Sequence, residues 1–292
     1  DPRTLGNTHH FEKHTPRVTR TGVRGENSTS TKEAVLSVLI AIEGIDGSGK
    51  GTQTKRLHHA LQNYGLRVFS DTFPKYNTTF HGQLVGEYLN GKFGTLEQVH
   101  PFLAAMLFAG DRKEYKAMLN AAMSAFDVVI LDRYVLSNIG HQCARVEDEH
   151  ERTRLQDRIL RLEYDLNGMP RPDVQFLLDV PVEIAEGLVA GKKRRDYTTL
   201  GADIHEADRK YQARVRDVYR NMAVAVCGGN GICEPRTLSS ASLRPSQTRL
   251  YEIPCAHDQR WLLEEQDITE RMLQVLMAFG LVCHYGPPAT GK

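Results

Sequence analysis

The segment Gly44-Ile45-Asp46-Gly47-Ser48-Gly49-Lys50 carries the spacing G-x-x-x-x-G-K. Glycines at these positions let the backbone curl so that successive N–H groups face inward, and the lysine adds a full positive charge. Such a cradle suits a polyphosphate. The spacing alone is loose, and its weight comes from context. A strand-like aliphatic run, Val35–Ile42, precedes it, and a helical pattern bearing Leu57 and Leu61 follows. A helix starting at the loop adds partial positive charge where an anion would sit. Lys50 is followed by Gly51, not by the Ser or Thr whose hydroxyl normally reaches magnesium, and Thr52 comes one position later. A cation there is expected to be held more by phosphate oxygens, water and carboxylates, which suits Mg²⁺ because it keeps several waters.

Such a loop needs a sheet to hold it. Short aliphatic runs recur at Leu66–Ser70, Val128–Leu131, Val174–Leu178 and, weakened by Glu252, Leu250–Ile253. With Val35–Ile42 they read as strands buried on both faces. Between them lie helical spacings: Val99, Leu103, Met106 and Leu107; Tyr211, Val215, Val218, Tyr219 and Met222; Ile268, Met272, Val275 and Phe279. The alternation predicts an α/β fold, a five-stranded parallel sheet flanked by helices. The expected organisation is a flexible leader over 1–33, one domain over 34–282 and a tail over 283–292. Within the domain, a basic loop spans about 191–205 and a Gly/Ser/Pro-rich insertion about 228–247.

Lys and Arg together number 37 and Asp and Glu 36, a net charge of +1. The basic excess usual in proteins that neutralise nucleic-acid phosphates is missing, so a nucleic-acid partner is not expected. The longest apolar run, Ala34–Ile42, is interrupted by Ser37 and far shorter than the roughly 20 residues of a membrane span, so no membrane partner is expected. Five cysteines with no C-x-x-C pair argue for reduced thiols and a cytoplasmic protein. Organelle targeting by the Arg/Ser-rich leader is the alternative. The chain begins with Asp, as expected of a fragment or a processed product.

Further motifs are spread along the chain: Phe73-Pro74-Lys75-Tyr76, Leu107-Phe108-Ala109-Gly110-Asp111-Arg112, Asp132-Arg133-Tyr134, Met169-Pro170-Arg171-Pro172-Asp173, and Lys192-Lys193-Arg194-Arg195 with Asp203 and Glu206 beyond. Together with the loop reading EGIDGSGKGTQ, they resemble the thymidylate kinase family of nucleoside monophosphate kinases. The resemblance runs from about Val35 to Leu281. It implies the P-loop kinase fold with a basic LID, ATP and Mg²⁺ as donor and cofactor, phosphorylation of dTMP to dTDP, and a homodimer. Alternatives are a kinase for another pyrimidine monophosphate such as dUMP or UMP, or a nucleotide-binding protein without turnover.

The resemblance also implies roles. Gly44, Ile45, Asp46, Gly47, Ser48, Gly49, Lys50, Gly51 and Thr52 would hold ATP, with Arg194 and Arg195 closing over its phosphates. Lys50, Arg133, Arg195 and Asp46 would be catalytic. Asp46 would accept the sugar 3′-hydroxyl and help order magnesium. That fits the physics, because a carboxylate inside a phosphate cradle repels its ligand unless a hydroxyl or a metal lies between. Phe73, Lys75 and Tyr76 would border the monophosphate, and Arg133 would grip it as a planar fork. Phe108 and Arg112, four apart and on one helix face, would stack on thymine and donate to its O4. Ser137 follows in the next turn, and Asn138 suits N3–H. His141 stands where relatives carry an aromatic residue against the sugar. Asp132 would lie near magnesium.

Overall fold

The computed structural model describes residues 37–190, 209–227, 248–257 and 261–281. The leader, the basic loop with Arg194 and Arg195, the insertion and the tail lie outside the described residues. The expected parallel sheet is present: β1 (Val38–Glu43), β2 (Val68–Thr72), β3 (Val128–Asp132), β4 (Val174–Asp179) and β5 (Arg249–Pro254), in the order β2-β3-β1-β4-β5. The helices are α1 (Lys50–Asn63), α2 (Phe80–Leu89), α3 (Pro101–Ala125), α4 (Val135–Cys143), α5 (Glu149–Leu160), α6 (Val182–Ala190), α7 (Arg209–Cys227) and α8 (Glu265–Ala278). A π-helical segment, Arg161–Leu166, continues α5. A small antiparallel pair, β6 (Ala256–His257) with β7 (Trp261–Leu262), follows β5.

The central strand explains itself. Leu39, Ile40, Ala41 and Ile42 are fully buried, because β1 lies between β3 and β4 and helices cover both faces. The strands differ from the sequence reading mainly at their ends. β1 runs to Glu43, β2 to Thr72 and β3 to Asp132, each past its last aliphatic residue. Backbone pairing does not require an apolar side chain. It carries the ladder one or two residues further, to the edge where polar side chains serve the site. Register then aligns that edge: Ile42 pairs with Asp132, Thr72 with Asp132 and Glu43 with Leu177. Ligands of open α/β sheets bind outside these carboxyl ends.

One helix face departs from expectation. Leu103 and Met106 are 58% and 46% exposed, whereas α3 buries Ala104, Ala105, Ala109, Asp111, Arg112, Leu119 and Ala122. Small residues let α3 approach α2 and α4 closely, and that close approach selects the inward face. Gly110 belongs to the same packing, since a Cβ there would meet the His81 ring at 2.3 Å.

Candidate active site

The loop between β1 and α1 turns through Gly47 and Gly49, whose φ values of 82° and 83° lie in the left-handed region where a side chain is strained. No side chain caps α1, so its first N–H groups point into the cradle. The Lys50 ammonium folds back over the loop and donates to the carbonyl of Gly44 (3.0 Å) and that of Ile45 (2.7 Å).

The turn after β3 faces the loop. Arg133 has φ 66°, an uncommon conformation for a non-glycine residue and of the kind that functional sites retain at some cost. Its Nη2 donates to Asp46, and its Nη1 faces Ser137 (3.5 Å) and His141 Nε2 (3.3 Å). Burial opposes the guanidinium charge, yet Asp46 beside it holds the pKa well above the ordinary arginine value. Since arginine only donates, His141 Nε2 accepts. Its Nδ1 then carries the proton and donates to the Tyr211 hydroxyl (3.1 Å), which itself donates to the His141 carbonyl (2.9 Å). Asp46 also receives Gln212 Nε2 at 3.1 Å. Behind this layer Glu43, fully buried, accepts from the Tyr134 N–H (2.9 Å) and the Ser137 hydroxyl (2.5 Å). Burial raises the Glu43 carboxyl pKa, which the Ser137 bond and the nearby Arg133 charge only partly offset.

A third group comes from α3, α4 and the π segment. Arg112, almost fully buried, donates through Nε (3.1 and 3.2 Å) and Nη2 to the carboxylate of Glu163. Asn138 Nδ2 donates to the same carboxylate (2.9 Å) and to the Ala105 carbonyl (3.0 Å). Phe108 stands edge-to-face with Tyr88.

These groups converge on one cavity of about 310 Å³. Gly47, Gly49, Lys50, Gly51, Asp46, Asp132 and Arg133 line it, and so do Phe73, Tyr76, Phe108, Arg112, Ser137, Asn138 and His141. Lys75 does not line it. Its ammonium pairs with Asp71 and lies 4.2 Å from the centre of the Tyr115 ring, so the basic residue expected over the monophosphate is engaged beside the cavity wall rather than in it. Gly44, Ile45, Ser48 and Thr52 belong to the loop but not to the cavity wall. Participants that escaped the sequence reading include Glu43, Glu163, Gln212 and Tyr211, and Gln142, which lines the cavity. An acid ending an aliphatic strand beside the cradle was a usable signal for Glu43. Nothing local marks Glu163, which meets Arg112 across 51 positions.

A magnesium ion fits this site on one observation. Asp132 Oδ1 is buried and has no hydrogen-bond partner among the described residues. Its other oxygen lies 3.3 Å from where a Cβ on Gly51 would stand. Among the described residues no three His, Cys, Asp or Glu side chains cluster closely enough to hold a metal. One carboxylate beside a phosphate cradle therefore suits a cation bound chiefly through phosphate and water. Both Asp46 oxygens face other side chains, Arg133 and Gln212.

A parallel sheet ending in a glycine-rich phosphate loop, with an arginine facing that loop across one cavity, defines a P-loop kinase. The sequence model described as thymidylate kinase matches residues 42–226, and the chain belongs to the thymidylate kinase family. Thymidylate kinase of Mycobacterium tuberculosis strain H37Rv is 35% identical over 192 residues, covering 66% of this chain and 88% of that protein. A probable thymidylate kinase of Thermococcus kodakarensis is 32% identical over 194 residues, covering 64% and 84% respectively. Among solved structures, thymidylate kinase from Candida albicans superposes with a TM-score of 0.58 at 21% identity, over 84% of this chain and 93% of that one, a likeness of fold.

Proposed function

We infer that this protein transfers the γ-phosphoryl group of ATP directly to the phosphate of dTMP, giving dTDP. The observation that carries this reading is one cavity lined both by Gly47, Gly49, Lys50 and Gly51 and by Arg133, Phe108, Arg112 and Asn138. A donor polyphosphate and an acceptor monophosphate then meet without crossing protein. The acceptor is already an anion, so no general base is required. The chain must hold two repelling phosphates in line and exclude water.

Lys50 leaves the loop carbonyls for the donor phosphates, and Arg133 opens its fork to the acceptor. The Asp46–Arg133 pair keeps that fork aimed before substrate arrives. Phe108 covers the base face, Arg112 donates to O4 and Asn138 accepts from N3–H. Asp132 would hold magnesium, which when bound would neutralise charge on the transferring phosphates. Arg195, with Arg194 beside it, closes over ATP, an assignment resting on the sequence alone. The protein acts as a homodimer, for which the exposed Leu103, Met106 and Met118 on α3 offer a contact face. A cytoplasmic location accords with Cys143 and Cys255, both buried free thiols.

A substrate panel with saturating ATP tests the reading. The expected order has dTMP first by kcat/KM, with dUMP behind and AMP and CMP far below. AMP or CMP outrunning dTMP overturns the base assignment. ATP binding without any dTDP formation overturns the enzymatic one.

A further inference from the structure

The mechanism above uses Arg112 and Asn138 but leaves Glu163 unexplained. Its carboxylate is fully buried beneath the base end of the cavity. Every polar group recorded around it is a donor: Arg112 Nε and Nη2, and Asn138 Nδ2 at 2.9 Å. A donor-only neighbourhood of this kind calls for the ionised carboxylate, which only accepts. The π-helical turn that carries it is clamped to α3. Lys116 Nζ donates to the Asn167 carbonyl (2.9 Å), and Asn167 Nδ2 to that of Ala109 (3.3 Å).

The consequence lies on the other side of the amide. With Ala105 O and Glu163 both accepting, the edge of Asn138 facing them must be its NH₂, whatever the starting orientation. Asn138 Oδ1 is therefore the edge of the amide left unpaired, buried and without a protein partner among the described residues, in a side chain that lines the cavity. Arg112, its Nε and Nη2 on Glu163, also reaches the cavity wall and has only donors to offer there. The base meets one donor and one acceptor in fixed order. Thymine and uracil answer with O4 and N3–H. Cytosine presents an amine to the arginine and a lone pair to Oδ1. Turning Asn138 to suit cytosine would aim Oδ1 at a carboxylate and a carbonyl.

We propose that Glu163 is the positioning residue that locks this reading frame, and so determines that the pocket takes a 4-oxo pyrimidine and rejects a 4-amino one. The proposal rests on the functional reading above, which names the pyrimidine monophosphate as acceptor.

The test compares the full-length wild type with Glu163→Gln, measuring kcat and KM for dTMP and dCMP at saturating ATP. Glutamine keeps the shape but removes the charge and one of the two acceptor oxygens that Arg112 and Asn138 share, which loosens the hold on both side chains. The dTMP-over-dCMP ratio of kcat/KM is expected to fall at least ~10-fold, because sites that discriminate by hydrogen bonds lose discrimination when a partner is mispaired. The loss should appear as a raised KM for dTMP, with kcat within ~3-fold and KM for ATP unchanged. If Glu163→Gln fails to give folded protein by circular dichroism, Glu163→Asp decides. It keeps the charge for Arg112 but shortens the reach to Asn138, and the same ratio should fall. Selectivity retained within twofold, with both substrates impaired alike, makes Glu163 merely structural and overturns the proposal. A wild type that accepts dCMP as readily as dTMP overturns the functional reading as well, so the two failures are told apart by the wild type alone.

Discussion

Lys50 donates to two loop carbonyls and so is held over the glycine-rich loop. Lys50→Met is expected to lower kcat at least ~100-fold, the scale seen when one donor to developing charge is removed. Melting temperature should move only a few degrees, since about 1 kcal/mol corresponds to roughly 2–4 °C in a domain of this size. Steady-state kinetics and a thermal melt check both halves. Phe108 lines the cavity, edge-on to Tyr88. Its replacement by alanine should raise KM for dTMP about tenfold, as expected for losing a stacking ring worth ~1.4 kcal/mol. KM for ATP should stay within ~2-fold, and an equal effect on both nucleotides would remove Phe108 from the base pocket. Legibility differed between neighbouring residues. Phe108 and Arg112 were readable because helical spacing of four puts both on one face. The placement of Lys75 was not readable, because its side chain has partners, Asp71 and the Tyr115 ring, that spacing does not encode.

Secondary-structure elements are joined at the site by buried groups rather than by the sheet alone. Glu43 ends β1 and holds the start of α4 through Tyr134 N–H and Ser137. Burial raises its folded-state pKa above 4.5, so over that interval the folded chain binds more protons than the unfolded one. Its contribution is complete below pH 4.5 and is lost as pH rises through the raised value. Glu43→Gln removes this titration. Urea denaturation across pH should show the variant gaining stability relative to wild type as pH rises, and parallel curves would refute the assignment. The loop is equally tied to α6. A Cβ on Gly47 would meet the Ala185 carbonyl at 2.2 Å, while one on Gly49 meets nothing within 4 Å. Both have positive φ. Gly47→Ala should therefore cost about 2 kcal/mol or more, adding overpacking to backbone strain, and Gly49→Ala distinctly less. Denaturant melts of the pair separate the two causes.

For the molecule as a whole, the sheet brings Glu43, Asp132 and Thr72 to one edge, where the loop, the β3–α4 turn and the α3 wall meet around one cavity. The large apolar residues of α3 turned away from it, Leu103 and Met106, are exposed. Replacing both with glutamate should convert a dimer to a monomer in sedimentation velocity without unfolding it, because neither side chain supports the core. A wild type that sediments as a monomer at all concentrations would refute the homodimer.

The sequence by itself determined the strands, the cradle and the family, because aliphatic runs, glycine spacing and helical periodicity act over short stretches and need no distant partner. The site's second layer was decided only by tertiary structure. Glu163 reaches Arg112 over 51 positions and Asn138 over 25, and Gln212 reaches Asp46 over 166. Which way a polar side chain turns depends on which donors and acceptors packing delivers beside it. That delivery follows from how helices settle on the sheet, where small residues such as Ala104 and Gly110 set the distance of approach.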